Sequence, residues 1–186
     1  MVSSAMYRYF PSRDDLLTAL IIDAYDAVGA AAEHADSERR RPDLAGRWLS
    51  IAEAIRGWAI DHPQEYALVY GSPVPGYKAP TDTIEPAARV SLGLLSLLAD
   101  AAEAGRLVVD DLAPPLPPSV RADLAVLRDQ AAPGVPDEAL AAGIGIWTEM
   151  FGAISYELFG HLHNVITDYE AFFNRQMRAA GRLVFA

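Results

Sequence analysis

Apolar residues in this 186-residue chain recur at intervals of three and four, and nowhere do they alternate with polar ones over a useful length. That spacing confines the chain to helices, because a half-buried strand shows a period of two. The 13 prolines then cut the pattern into segments, most of them at the edges of apolar stripes, where a missing N–H does least harm. An all-α fold is the expectation.

Ser12 opens an SRDD run with an acid three residues on, as in a capping box, and Leu16, Leu20, Ile21, Ala24, Tyr25 and Val28 then share one helical face. Pro42 is placed to open a second helix through Trp48, Ile51, Ile55 and Trp58, which His62 and Pro63 end. A short helix from Pro63 to Tyr70 precedes GSPVPGYKAPTD, whose prolines and glycines make a loop. Helical spacing returns from Thr83 to Ala104, and Gly105 sits where a left-handed cap belongs. After the proline-rich APPLPP, a short helix is predicted over Ser119–Ala131.

The longest apolar pattern follows Pro136 and Asp137, with Leu140, Ile144, Trp147, Phe151, Ile154 and Leu158 in 3,4 spacing. Its opposite side is small rather than charged, with Ala142, Gly145, Gly152, Ala153 and Gly160, so this helix needs cover on both sides. A last helix is predicted over Thr167–Val184, with Tyr169, Phe172, Phe173, Met177, Ala180 and Leu183 on one face.

Several function classes fall away on residue type. Cysteine is absent, which excludes disulfides, thiolate nucleophiles and cysteine-ligated metals. The longest apolar runs are far shorter than the roughly 18 residues that cross a bilayer, and the N-terminus lacks the basic-then-apolar order of a secretory signal. A cytoplasmic location is expected. His161 and His163, two residues apart, would point to different faces of a helix, so no metal is expected. Asp14 with Asp15 and Asp110 with Asp111 are sequence neighbours that rarely converge on one substrate. GIGIW at Gly143 follows no strand, GSPVPG lacks the lysine of a phosphate loop, and no GxSxG occurs. No catalytic residue and no cofactor are expected.

The net charge of −10 opposes contact with nucleic acid by the body of the chain. Residues 1–13, however, carry Arg8 and Arg13 and no acid. This basic head contains the motif that points to a function. The segment MVSSAMYRYFPSRDDLL, Met1 to Leu17, closely resembles the second half of the helix-turn-helix and the start of the next helix in repressors of the tetracycline-repressor (TetR) family. The resemblance implies a recognition helix whose small polar start, Ser3 and Ser4, approaches base edges. It further implies that Tyr7 and Tyr9 offer hydroxyls to phosphates, that Arg8 reaches a base or phosphate, and that Arg13 clamps the backbone from the next helix's N-terminus. Met6 and Phe10 would pack inward. WTEMFG at Trp147 and HPQEYALVYG at His62 resemble features of one subclass of TetR C-terminal domains, with Phe151 standing where that subclass has a histidine.

By this resemblance residues 1–32 are the end of a DNA-binding domain plus a connecting helix, and residues 33–186 form a ligand-binding and dimerisation domain. In register with the family, Met1 occupies an internal apolar position of the turn, so the first helices of the DNA-binding domain are expected to be missing from this chain. A homodimer would hold two recognition helices roughly 34 Å apart over a palindromic operator. Its interface is expected at Gly145, Gly152, Ala153, Phe173 and Met177, as a four-helix bundle. A small apolar effector is expected near Trp58, Tyr66, Tyr70, Trp147, Met150 and Phe151. Each of these residues also suits plain core, but the polar handles of tryptophan and tyrosine favour a pocket for the set. Its binding would tilt the helix that begins at Asp14. The competing reading is a DNA-independent helical dimer that binds a small apolar ligand.

Overall fold

The computed structural model describes residues 9–108 and 113–186, and within them the chain forms seven α-helices and one short 3₁₀ turn. The first helix, α1 (Arg13–Ser37), starts as its sequence requires: the Ser12 hydroxyl oxygen accepts from the Asp15 amide at 3.1 Å and donates to the Asp15 carboxylate at 2.7 Å. The helix runs unbroken through residue 32, so the expected domain boundary lies inside one rigid element. Its buried line is Ile21, Ala24, Val28 and Ala32, and Leu20, expected on that face, is exposed.

Helix α2 (Leu44–Asp61) begins later than expected, because Asp43 rather than Pro42 organises its start: the Asp43 carboxylate accepts from the Gly46 amide at 3.1 Å. Helix α3 (Pro63–Tyr70) carries its proline at the first position, where the absent N–H is harmless. The loop 71–80 and the 3₁₀ turn Thr81–Thr83 lead into α4 (Ile84–Glu103). Gly105 then adopts φ +64°, and the Arg106 amide reaches back to the Ala101 carbonyl at 2.9 Å, closing the helix as the glycine predicted.

Helices α5 (Pro118–Ala131), α6 (Asp137–Leu158) and α7 (Tyr169–Gly181) complete the chain. Helices α2, α4, α6 and α7 share the core, α1 lies along α2 and α4, and α5 packs on α6. After α7 the chain turns back, Val184 and Phe185 are buried, and an isolated antiparallel bridge joins Leu107 to Phe185. No helix among the described residues is long and apolar enough to cross a membrane. His161 and His163 lie in the turn after α6 rather than on a helix, and the His161 ring sits 5.0 Å from that of Tyr156.

Helix α6 is rotated from the face its spacing suggested. Its innermost residues are Ala139, Leu140, Gly143, Ile146, Met150 and Ile154, whereas Ile144, Trp147, Phe151 and Leu158 are only partly buried. Gly143 shows why: a Cβ there would meet Leu98 Cδ1 at 2.6 Å, so α6 approaches α4 along its smallest residue. An almost uniformly apolar helix has no polar face to set its rotation, so its closest packing partner sets it instead.

Candidate functional site: the connecting helix and the cleft beside it

Ser3, Ser4, Tyr7 and Arg8 lie outside the described residues, as does Met6. Of the expected DNA contacts, Tyr9 is 79% exposed and Arg13 is the exposed first residue of α1. Both therefore stand at one end of a 25-residue helix, about 37 Å long at 1.5 Å per residue.

Four of the six expected ligand residues form one aromatic cluster. Tyr66 and Tyr70 on α3 lie 5.3 Å apart, Tyr70 packs on Phe151 of α6 at 4.3 Å, and Trp147 meets Phe151 edge-on at 5.6 Å. The Tyr66 hydroxyl holds α3 to α6 through Ser155 Oγ at 2.8 Å. Burial raises the phenols of Tyr66 and Tyr70 above their ordinary value, so both are neutral donors across the physiological range. Trp147 differs from its neighbours, since its Nε1–H is buried without an acceptor among the described residues. Trp58 and Met150 do not join the cluster: Trp58 is buried in α2 with its ring stacked on His62 at 5.8 Å, and Met150 is core.

The cluster is packed against itself, and the open space lies next to it. A cleft of about 630 Å³ runs between α1, the loop 71–80 and the start of α4, and its lining includes none of the six expected residues. Ile21 and Tyr25 of α1 form one wall, Val69, Val74 and Tyr77 another, and Thr83, Ile84 and Ala87 the third. Tyr25 joins the cleft to the cluster: its ring stands perpendicular to that of Tyr70 at 5.9 Å, and its hydroxyl donates to the Val69 carbonyl at 3.2 Å. The volume falls in the range of small-molecule sites, and no lining residue carries a charge.

One hydrogen bond ties the loop over this cleft to α1. Thr18 Oγ1 donates to the Asp14 carbonyl at 2.9 Å, so the 2.8 Å contact with Tyr77 is one in which the tyrosine hydroxyl donates to Thr18 Oγ1. Thr18 lies five positions beyond Arg13. Neither Tyr77 nor Thr18 carries a local signal in the sequence, because a loop tyrosine meets a helix 59 residues earlier only once the chain has folded.

The far end of α1 is built differently. Arg47 of α2 is 1% exposed, and it donates to both oxygens of Asp36 at 2.6 and 3.0 Å and to Asp100 of α4 at 2.7 Å. The hydrogen bond it donates to Asp36 is the main reason its guanidinium is held still more firmly protonated than usual. Arg41 adds a second contact to Asp100 at 2.7 Å. A buried arginine satisfied on two carboxylates fastens α1, α2 and α4 together.

The expected dimer residues divide into two groups. Gly145 and Gly152 are exposed, and a Cβ on either would meet nothing within 4 Å, so neither glycine is required by its own protomer. Ala153 is partly buried. Phe173 and Met177 are buried in the protomer's own core, Phe173 under the Arg56 guanidinium at 5.6 Å and Met177 with its carbonyl accepting from Trp48 Nε1 at 2.8 Å. Those two side chains are not available to a partner. Their spacing on α7 is amphipathic, and the apolar face it defines is turned inward.

One long helix thus joins the exposed Tyr9 and Arg13 to the wall of an uncharged cleft, inside an all-α body. Residues 48–180 match the family described as tetracyclin repressor-like, C-terminal domain, and the chain belongs to the TetR family of transcriptional regulators, a class of regulators and not of enzymes. The HTH-type transcriptional regulators Rv1816 of Mycobacterium tuberculosis and Mb1846 of Mycobacterium bovis are each 37% identical over 180 residues, covering 96% of this chain and 76% of the relative. The crystal structure of SCO4313, described as a regulatory protein, superposes with a TM-score of 0.71 at 34% identity, over 97% of this chain and 79% of that one. A protein of unknown function from Rhodococcus sp. RHA1 shares the fold, with a TM-score of 0.69 at 18% identity.

Proposed function

We propose that the protein is a ligand-responsive repressor that binds a palindromic operator as a homodimer and is released when an uncharged, largely apolar molecule occupies the cleft beside α1. The observation that carries this reading is the double role of one helix. Helix α1 presents Tyr9 and Arg13 at its start and lines the cleft with Ile21 and Tyr25 two to three turns further on. A ligand in the cleft therefore acts on the same rigid rod that orients the DNA-contacting end, and a small rotation there spoils the half-site spacing.

A further feature supports the dimeric part of the proposal. The exposed side of α6, with Gly145, Gly152, Tyr156 and Phe159, has small residues for close helix approach beside large apolar ones to bury. The relatives named as transcriptional regulators favour this reading over a DNA-independent ligand-binding dimer.

The test is made in cells with the protein expressed from its own locus. Immunoprecipitation is expected to recover a palindromic intergenic site, and deletion of the gene to raise transcription beside it. An Ile21→Trp variant, which fills the cleft, is expected to lose operator occupancy while remaining folded. Recovery of no discrete site from the native protein would overturn the repressor reading; undiminished occupancy by a folded Ile21→Trp would remove the cleft from it.

A further inference from the structure

The opposite end of the molecule carries a second cavity of different chemistry. A groove of about 430 Å³ lies between the turn after α1, the start of α2 and the end of α7, with Arg39, Arg178 and Arg182 on its rim and Trp48 and Gly181 in its floor. These three arginines line one groove in a chain of net charge −10, where 25 acidic residues outnumber 15 basic ones. Arg41, Arg47, Arg56, Arg89, Arg121 and Arg128 each have a carboxylate within 4 Å, yet no such ion pair forms among the described residues for Arg39, Arg178 or Arg182. Asp43 is the one acid in the lining, and its carboxylate accepts from the Gly46 amide as the α2 cap. A neighbouring groove at Arg41, Asp100 and Arg106 shows the contrast, since its Arg41 is already paired with Asp100 at 2.7 Å.

We propose that the Arg39–Arg178–Arg182 groove binds a small organic anion carrying a carboxylate or phosphate group. The site is partly organised in advance: Arg39 Nε donates to Ser50 Oγ at 2.7 Å, which fixes its stem and leaves its two terminal nitrogens for a ligand. The floor is rigid, because the Trp48 indole is held by the Met177 carbonyl and a Cβ on Gly181 would meet its Cδ1 at 2.7 Å. At about 430 Å³ the groove has room for a small organic body beyond the anionic group itself. Operator DNA is not the anion. Arg39 lies two residues beyond the end of α1, roughly 37 Å from Arg13 at the helical rise.

Titration of the isotopically labelled protein with inorganic pyrophosphate and, separately, with citrate at physiological ionic strength tests the assignment. Saturable displacement of the Gly46 and Gly181 amide resonances is expected with at least one probe, and the tighter probe identifies the anionic group. Replacing both exposed arginines, R178E with R182E, should weaken binding by at least about tenfold without disturbing the remaining spectrum, since neither side chain supports the core. Asp43→Asn keeps the helix cap while removing the one negative charge in the lining, so it should tighten binding several-fold. Failure of both probes to saturate, or equal binding by the charge-reversed protein, would overturn the proposal.

Discussion

The two ends of α1 are held by opposite means. At the far end, Arg47 is enclosed and bonded to Asp36 and Asp100, and Trp48 is wedged against Gly181. At the near end the helix borders an open cleft, its Tyr25 leans on an aromatic cluster, and a single hydroxyl pair, Tyr77 with Thr18, joins it to the loop above. Charge-assisted bonds on a buried fork permit one geometry, whereas aromatic faces and two neutral hydrogen bonds, from Tyr77 to Thr18 and from Tyr25 to the Val69 carbonyl, permit several of similar energy. Such a rod, tied midway by Arg89 of α4 to Asp26 and Glu33 at 2.8 and 2.6 Å, is expected to move as a lever whose looser end is the one beside Tyr9 and Arg13.

The largest test of this contrast is at the clamp. Arg47→Met would leave Asp36 and Asp100 facing each other with only the exposed Arg41 for compensation, so it should cost about 3 kcal/mol, the lower end for breaking a buried pair because both carboxylates are about a quarter exposed. Urea denaturation measures this, and a loss below about 1 kcal/mol would mean that the far end is no clamp. Gly181→Ala comes next. The added methyl meets an indole that can shift only by straining its bond to the Met177 carbonyl, which should destabilise by about 1–2 kcal/mol after the small gain in helix propensity. A crystal structure of the variant should show Trp48 displaced.

The loose end has a pH signature. Burial raises the phenols of Tyr25, Tyr66 and Tyr70 above their ordinary value near 10. A raised phenol contributes its full stability below the unfolded value and loses it as pH rises towards the folded one. Stability should therefore decline from about pH 10 upward, by as much as about 1.4 kcal/mol per pH unit for each phenol that ionises only on unfolding. Tyr70→Phe should reduce that slope by about one phenol's share, as denaturation curves on either side of pH 10 would reveal. An unchanged slope would place Tyr70 outside the buried set.

The smallest expected effect sharpens the comparison most. Tyr77→Phe removes only the bond to Thr18, for about 0.5–1 kcal/mol or less. Its expected signature is local: faster amide hydrogen exchange in residues 71–80 and at the start of α1, with no change near Arg47. Exchange rising equally at both ends would erase the distinction between clamp and lever.

Much of this architecture is legible in the sequence. Ser12, Pro63, Pro136 and Gly105 mark helix ends through their own local chemistry, and the helices begin or end beside them. Tyr66, Tyr70, Trp147 and Phe151 were expected to line a ligand pocket, and they pack on one another instead. The cleft beside them was not legible. The cleft is walled by Ile21, Tyr25, Val74 and Tyr77, drawn from a helix and a loop whose meeting is not encoded in either one.

Periodicity, capping residues and prolines act within a few residues of themselves, so the sequence alone determined that the chain is helical, where most helices start and stop, and which short motif marks its family. Rotation, burial and cavities depend on which helix approaches which, and at what distance. Tertiary packing alone therefore turned Met150 rather than Trp147 to the centre of the core, took Phe173 and Met177 inward, and buried Arg47 between two carboxylates. Side-chain volume and the pairing of buried charge decided these outcomes, and both are properties of the assembled helices rather than of any one of them.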